Sequence, residues 1–349
     1  MHSSPPRRRF HPQDPAGRPR AWVRLVPSFL LALIAFTGFG SSAHAAKYAA
    51  EFLRIGAGAR ALGMGGAMTS RVDDASAVYW NPAGMVAVPR AEIMLMHSEQ
   101  FADLADYDFG SYVLSLGPTG AIGVGVVRFA VSDICITKDA YIDANGNHRY
   151  DEGETIRDDL FVFDSDTEYG LLFSFARRAR PGLSLGGSLK LVRQDLPEHS
   201  SFGVGADLGA LWTLNPSFQF GARLSDATTT QLYWDTGRRE TVSPSLYLGG
   251  TYFRSFPGLH AQLALSTDLA FTFEGRETAS TWSAGEVGLD PRVGLEAWYR
   301  GLFALRAGWQ ESGTTGGAGF RFRGFGVDYA FVPHEALGNS HRLSGSYSF

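Results

Sequence analysis

The chain has 349 residues, a net charge of −4, one cysteine and 42 glycines, and 13% of its residues are aromatic. An acidic chain has the wrong sign for the phosphates of nucleic acid or for an anionic lipid surface, so we expect no nucleic-acid partner. The single cysteine, Cys135, excludes an intramolecular disulfide.

Residues 1–45 have the three parts of a secretory signal peptide. A polar start with six arginines and one aspartate precedes an apolar run from Leu25 to Phe36, and the small-residue exit Ala43-His44-Ala45 follows. The apolar run is shorter than the about 20 residues of a spanning helix, which disfavours the alternative of an uncleaved anchor. We predict cleavage near Ala45, which removes a net charge of +5 and leaves a mature chain of −9.

After residue 90, apolar residues alternate with small or polar ones. In the run 183–191 every odd position except Gly187 is leucine. This period of two is typical of strands with one apolar and one polar face. We predict an all-β chain of about fourteen strands, near 91–98, 108–117, 120–130, 166–177, 183–194, 201–213, 217–224, 243–254, 259–270, 290–299, 302–309, 316–322, 325–331 and 341–349.

Two architectures accommodate such strands, a soluble sandwich and a transmembrane barrel. The predicted polar faces carry Lys190, Asp207, Arg223, Asp268, Glu296, Arg306, Arg321 and Asp328. These charges suit a wet or ion-paired lumen, although on a sandwich they would be solvated surface. Short connectors alternate with longer ones, the strand count is even, and the last strand ends on Phe349. Together with the signal peptide, this pattern favours a transmembrane antiparallel β-barrel over residues 91–349.

The stretch from Ala59 to Gly84 differs from the rest of the chain because it is rich in glycine and alanine. It contains Gly63-Met64-Gly65-Gly66, then Asp73-Asp74-Ala75-Ser76-Ala77, and then Asn81-Pro82-Ala83-Gly84. Such a segment makes a poor strand and cannot form a core alone. We expect it to fold against or inside a larger body.

This string, placed between a signal peptide and some fourteen strands, resembles the N-terminal segment of PorV/PorQ family proteins, relatives of the FadL-type transporters of hydrophobic compounds. The resemblance implies a fourteen-strand outer-membrane barrel with residues 46–90 folded into its lumen as a hatch. It assigns structural or gating roles to the motif residues Gly63, Gly65, Gly66, Asp73, Asp74, Asn81 and Pro82. For Asn81 we expect a mainly structural role.

The resemblance leaves two functions open. One is work through protein partners, in type IX secretion or in surface attachment of exported cargo. The compact predicted loops favour it, because FadL-type transporters have longer external loops. The alternative is a FadL-like channel for uptake of hydrophobic compounds, with outer-membrane lipid around it and a hydrophobic ligand inside. A general diffusion porin is weaker, because the hatch would obstruct the lumen.

A second motif lies in the longest predicted loop, 131–165. Its candidate metal ligands are Asp143, Asn145, Asn147, the carbonyl of Arg149, Asp151 and Glu154. These follow the spacing of an EF-hand calcium loop, but His148 replaces the usual glycine and no helices are predicted beside it. We expect Ca²⁺ to order this loop; a solvated acidic loop is the alternative.

We predict no enzymatic activity. The sequence has no G-x-S-x-G elbow, no H-E-x-x-H and no cluster of cysteine and histidine. The glycines of Gly63–Gly66 follow no strand of a βαβ unit, so they do not indicate nucleotide binding.

Overall fold

A computed structural model describes residues 49–100, 104–137, 140–144, 146–147, 149, 151–152, 154–273, 280–333 and 338–349. The predicted signal peptide therefore lies outside the described residues. Fourteen long strands make up most of the chain: β1 (Ala91–Gln100), β2 (Ala105–Ser115), β3 (Gly120–Ile136), β4 (Val162–Arg180), β5 (Leu183–Asp195), β6 (Ser200–Asn215), β7 (Phe218–Ser225), β8 (Ser245–Phe256), β9 (Ala261–Thr272), β10 (Val287–Tyr299), β11 (Phe303–Gln310), β12 (Gly313–Phe322), β13 (Phe325–Val332) and β14 (Ser340–Ser348).

These strands form a closed antiparallel barrel. Each pairs with its neighbours in sequence, and β1 pairs with β14 from Glu92 opposite Ser348 to Glu99 opposite His341. Closure leaves no free sheet edge, as a membrane barrel requires. The predicted fourteen-strand barrel is confirmed.

The barrel is apolar outside and polar inside. Large apolar side chains such as Leu305 and Phe303 are exposed on its outer surface, whereas Glu296 and Arg306 on the same sheet point inward and are buried. The apolar faces of the strands therefore point outward to lipid and the polar faces point inward, which is the reverse of a soluble protein. Among the described residues, none of the helices is long and apolar enough to cross a membrane.

The two ends of the barrel differ. At one end the connections are tight turns, with Gly182, Gly301 and Gly324 at positive φ. At the other end most of the connections are longer, and some carry extra strands, such as the hairpin Thr230–Trp234 and Arg239–Val242, which pairs with β6. Short turns face the periplasm in outer-membrane barrels. We call the tight-turn end the periplasmic end and the opposite end the outer end.

The strands β3 and β4 are longer than predicted. They pair from Gly120 opposite Arg177 to Ile136 opposite Val162, with a register shift between Val131 and Ile134. The period-two pattern breaks at this bulge, and for that reason the sequence predicted a loop from residue 131. The connection between the two strands is correspondingly shorter.

Residues 49–90 form the hatch inside the barrel. They contain the 3₁₀ turns Glu51–Arg54 and Pro82–Ala87 and the short helices α1 (Ala59–Gly63) and α2 (Ala77–Trp80). From residue 56 to residue 85, every residue except Asp73 is buried. The short helices have little stability of their own, so they depend on the barrel wall around them.

Glycines of the barrel wall make room for the hatch backbone. A Cβ on Gly294 of β10 would lie 2.5 Å from the carbonyl oxygen of Met64, and one on Gly186 of β5 would lie 2.5 Å from the nitrogen of Ala83. Wall and hatch therefore touch backbone to backbone, which no larger residue permits. This contact explains much of the glycine content of the strands.

We expect Gly294→Ala to destabilise the folded protein by about 1–3 kcal/mol, because the added methyl group must displace the hatch. Urea unfolding in detergent, followed by the gel shift of the folded barrel, measures this change. Gly345→Ala is the matched control, since a Cβ there meets nothing within 4 Å. Equal stability of the two variants would contradict the proposed close contact.

Candidate functional site: the lumen and its hatch

The glycines of the hatch motif end α1 and allow the chain to contact the barrel wall closely. Gly65 and Gly66 have φ of 60° and 70°, a left-handed conformation that favours glycine. The Gly66 nitrogen donates to the carbonyl of Ala61 at 2.9 Å, which closes the end of α1. The Gly65 nitrogen also donates to the hydroxyl of Thr315 on β12 at 3.0 Å.

Asn81 joins the hatch to the barrel through its side chain. Its amide nitrogen donates to the carbonyl of Thr69 at 2.7 Å and to that of Ala210 on β6 at 3.1 Å. Its oxygen accepts from the nitrogen of Ala83, and Pro82 begins the turn that leads to β1. These contacts agree with a structural role for Asn81.

A buried ion network fixes the centre of the hatch to β10 and β11. Arg60 donates to Glu296 at 2.8 and 3.0 Å and to both Asp73 and Asp74 at 2.6 Å. Arg71 reaches Asp73 and Glu296, each at 2.6 Å. We call this set of hatch and wall charges the central network.

The wall side of the central network continues along β11 and β13. Arg306 donates to Glu296 at 2.9 Å, and its terminal nitrogen lies 2.7 Å from Asp328. Glu296 therefore accepts from three arginines, two of which belong to the hatch. Desolvation by the surrounding protein would raise the pKa of the partly exposed Asp73 carboxyl, but the guanidinium groups of Arg60 and Arg71 outweigh it and hold that pKa well below its usual range.

A second network contains no charged residue of the hatch. Lys190 of β5 lies 2.9 Å from Asp207 of β6 and 2.7 Å from Asp226, which follows β7. Arg223 lies 3.4 Å from Asp207, and Thr230 donates to Asp226 at 2.6 Å. This wall network neutralises charges that would otherwise be buried and unpaired.

A cavity of about 910 Å³ lies between the hatch and the outer end of the barrel. The hatch contributes an apolar floor of Phe52, Leu53, Ile55, Tyr79 and Trp80, and Phe129 adds an aromatic ring from the wall. Its size falls within the range of about 300–1,000 Å³ that is typical of small-molecule pockets.

Most of the remaining lining of the cavity is polar, including Glu51 and Arg54 of the hatch, although Val242 and Ala270 add apolar surface. The ring of Tyr247 lies between two guanidinium groups, with Arg223 at 5.3 Å and Arg292 at 5.6 Å from its centre. Across the cavity, Glu168 and Asp166 of β4 supply carboxyl groups. The cavity thus has an apolar floor and charged walls.

Seven of the eight charges predicted for the polar strand faces are buried inside the barrel, and Arg321 is half-buried at the periplasmic end. The pairing of these charges was not predicted. The sequence analysis also missed Arg60 and Arg71, which provide the hatch half of the central network. Two arginines in a segment otherwise rich in glycine and alanine were the available signal.

The predicted calcium loop is only partly described, because Asn145 lies outside the described residues. Asp143 accepts from the nitrogen of Gly146 at 2.6 Å, and Glu154 accepts from the nitrogens of Ala144 and Asp151 at 3.1 and 2.8 Å. Asn147 donates to Asp151 at 2.7 Å, and the Arg149 nitrogen donates to Asn147. In the described part of the chain, no three His, Cys, Asp or Glu side chains converge on one metal position. Calcium binding stays a prediction.

Comparison with known proteins places the chain in a family. The model of the Uncharacterised protein family UPF0164 matches residues 34–223, which include the hatch and the first six strands. The chain belongs to UPF0164. Among curated proteins, none matches its sequence significantly.

Solved structures with a similar fold include transporters and channels. The Ralstonia pickettii toluene transporter TbuX matches with a TM-score of 0.54 and 14% identity, over 84% of this chain and 98% of its own. The monoaromatic hydrocarbon channel CymD matches with a TM-score of 0.54 and 17% identity, over 84% of this chain and 98% of its own. The Pseudomonas putida toluene transporter TodX matches with a TM-score of 0.53 and 14% identity, over 83% of this chain and 96% of its own.

This UPF0164 chain therefore has the barrel fold of these transporters and channels. At such low identity the likeness establishes the fold alone. The PorV/PorQ branch that the hatch motif resembled is not confirmed by these matches.

We expect Glu296→Gln to lower the free energy of unfolding by about 3–5 kcal/mol, because an amide cannot accept from all three arginines and turns a donor toward them. Urea unfolding measures the loss. Trypsin cleavage after Arg60 and Arg71, followed by mass spectrometry, reports release of the hatch.

The control variant is Asp195→Asn, which removes an exposed ion pair with Arg193. It should cost no more than about 1 kcal/mol. A Glu296→Gln protein with the stability and protease resistance of this control would show that the central network does not hold the hatch.

Proposed function

We propose that this protein is an outer-membrane channel for the uptake of small hydrophobic compounds. The observation that carries the proposal is the cavity of about 910 Å³ on the outer side of the hatch, with its apolar floor. A hydrophobic molecule gains free energy by leaving water for such a surface. The toluene and monoaromatic hydrocarbon transport named for TbuX, TodX and CymD supports the same class of ligand.

The hatch makes passage a gated process. Residues 56–85 fill the barrel below the cavity and are held by the central network and by Asn81, so a bound molecule has no open route through them. We infer that part of the hatch shifts during transport. The Ser70 hydroxyl, 2.8 Å from that of Thr251 on β8, marks a contact that would break in such a movement.

The secretion hypothesis has less support. The matching structures are channels for hydrophobic compounds, and type IX secretion or cargo attachment has no comparable support. The PorV/PorQ resemblance rests on the hatch motif, whose residues hold the hatch inside the barrel by contacts that serve a channel equally well. The absence of an enzymatic function stays a prediction.

Binding is tested with the fluorescent hydrophobic probe N-phenyl-1-naphthylamine and the purified full chain. We expect saturable binding that toluene displaces. Ile55→Asp should weaken it by roughly tenfold or more, because the variant places a charge in the apolar floor.

Ile156→Asp is the matched control, since Ile156 is exposed on the outer connection between β3 and β4, away from the cavity. It should bind the probe like the unaltered protein. Absence of saturable binding, or equal loss in both variants, would overturn the assignment of the cavity.

Passage is tested with a tether between hatch and wall. In a Cys135→Ser background, Ser70→Cys with Thr251→Cys should form a disulfide, because the two side-chain oxygens are 2.8 Å apart. In intact cells that express the protein, oxidation should abolish probe entry and a reductant should restore it. Binding by the purified protein should be unchanged. Entry at the same rate with the tether closed would show that the hatch does not gate passage.

A further inference from the structure

Arginines are concentrated at the periplasmic end of the barrel. The turns and flanking strand ends 116–119, 176–183, 213–217, 254–261, 299–303 and 321–325 contain no aspartate or glutamate. We call the outward-facing and turn arginines of this end the arginine rim: Arg90, Arg177, Arg178, Arg180, Arg254, Arg300 and Arg323. Arg321 is not included, because it faces Glu92 in the barrel mouth.

The outer end has the opposite charge. In the connecting segments of that end, aspartate and glutamate outnumber lysine and arginine by more than two to one. The net negative charge of the chain predicted no attraction to anionic lipid. That prediction used the average charge of the whole chain. In the structure the charges are separated along the barrel axis, and the positive end lies toward the periplasm.

The rim arginines are exposed and unneutralised. Among the described residues, none of the seven is within ion-pair distance of a carboxylate or has a side-chain hydrogen bond. Many arginines elsewhere are paired with carboxylates, such as Arg60 with Glu296 in the lumen and Arg157 with Asp159 at the outer end. The rim therefore keeps its full positive charge and its donors free.

Three rim arginines lie over aromatic rings at the lipid boundary. The guanidinium carbon of Arg300 is 5.3 Å from the centre of the Tyr299 ring, and that of Arg323 is 5.1 Å from the Phe322 ring. Arg254 lies over Phe256 at 5.7 Å. Tyr299 and Phe322 point outward from the barrel and are 48% and 50% exposed. Outward aromatic residues at a barrel end lie at the level of the lipid headgroups.

We propose that the arginine rim binds the phosphate groups of anionic phospholipids in the periplasmic leaflet of the membrane. A guanidinium group donates two parallel hydrogen bonds to a phosphate, and stacking on an aromatic ring presents it in that plane. Basic residues beside a membrane surface attract anionic lipid. The rim thus anchors one end of the barrel and fixes its depth and orientation.

A soluble acidic protein is the competing partner. Lipid is favoured because the aromatic rings under the arginines face outward into the membrane, and because Arg177 and Arg254 occupy outward positions on β4 and β8. A periplasmic protein that docked on this end would contact the turns and the barrel mouth, and not the outward-facing strand positions. The proposal is independent of what passes through the lumen.

The test uses the full chain purified in detergent and incubated with equal amounts of dioleoylphosphatidylglycerol and dioleoylphosphatidylcholine. Native mass spectrometry counts the lipids that each barrel retains. We expect the anionic lipid to be retained by roughly fivefold or more over the zwitterionic one, and high salt to reduce the preference. Arg254→Gln with Arg300→Gln and Arg323→Gln, and separately Arg177→Gln with Arg178→Gln and Arg180→Gln, should each lower this ratio by at least roughly half.

The control removes the same charge at the outer end, with Arg157→Gln, Arg193→Gln and Arg238→Gln. Each of these arginines has an acidic partner, and their loss should leave the ratio unchanged. The heat-dependent gel shift verifies that every variant is folded. No preference in the unaltered protein, full preference in both rim variants, or equal loss in the control would overturn the proposal. Binding of polyglutamate in place of phosphatidylglycerol would assign the rim to an acidic protein instead.

Discussion

The structure depends on neutralising charge inside a closed barrel. Glu296 shows the constraint most clearly, because it is fully buried and accepts hydrogen bonds from Arg60, Arg71 and Arg306. A buried carboxylate is tolerated only when it is paired in this way. Two of the three arginines come from the hatch. Without the hatch, Glu296 of the wall would lose two of its partners, and without the wall, Arg60 and Arg71 would lose Glu296. This mutual requirement holds the hatch inside the barrel.

Glycine in the wall makes the same arrangement sterically feasible. Arg60 can reach Glu296 only if α1 lies directly against the strands, and Gly294, two residues before Glu296, lets the backbone at Met64 approach. Larger side chains would separate hatch and wall and stretch the ion pairs. Close packing and charge pairing therefore reinforce each other, and the 3₁₀ turn Glu51–Arg54 of the hatch lines the cavity.

The plugged lumen and the segregated ends both fit the proposed channel function. In the proposed channel, the apolar floor would offer a binding surface to molecules that enter from the outer end, and the hatch would prevent free diffusion. The arginine rim lies at the end of the barrel that faces the periplasmic leaflet of the membrane. A gate that moves within the lumen needs a wall that stays in place, and contact between these arginines and lipid phosphates would supply such an anchor.

The strands of the barrel could be predicted from the sequence. Period-two alternation is a local property, and it located all fourteen strands within a few residues, except where the bulge between Val131 and Ile134 interrupts the pattern. The small residues of Gly63–Gly66 likewise indicated a segment packed inside a larger body. The pairing of the charges could not be predicted, because Arg60 and Glu296 are 236 residues apart and meet only when the hatch packs inside the closed barrel. The cavity and the arginine rim also arise from closure, which brings separate turns and strands to one end.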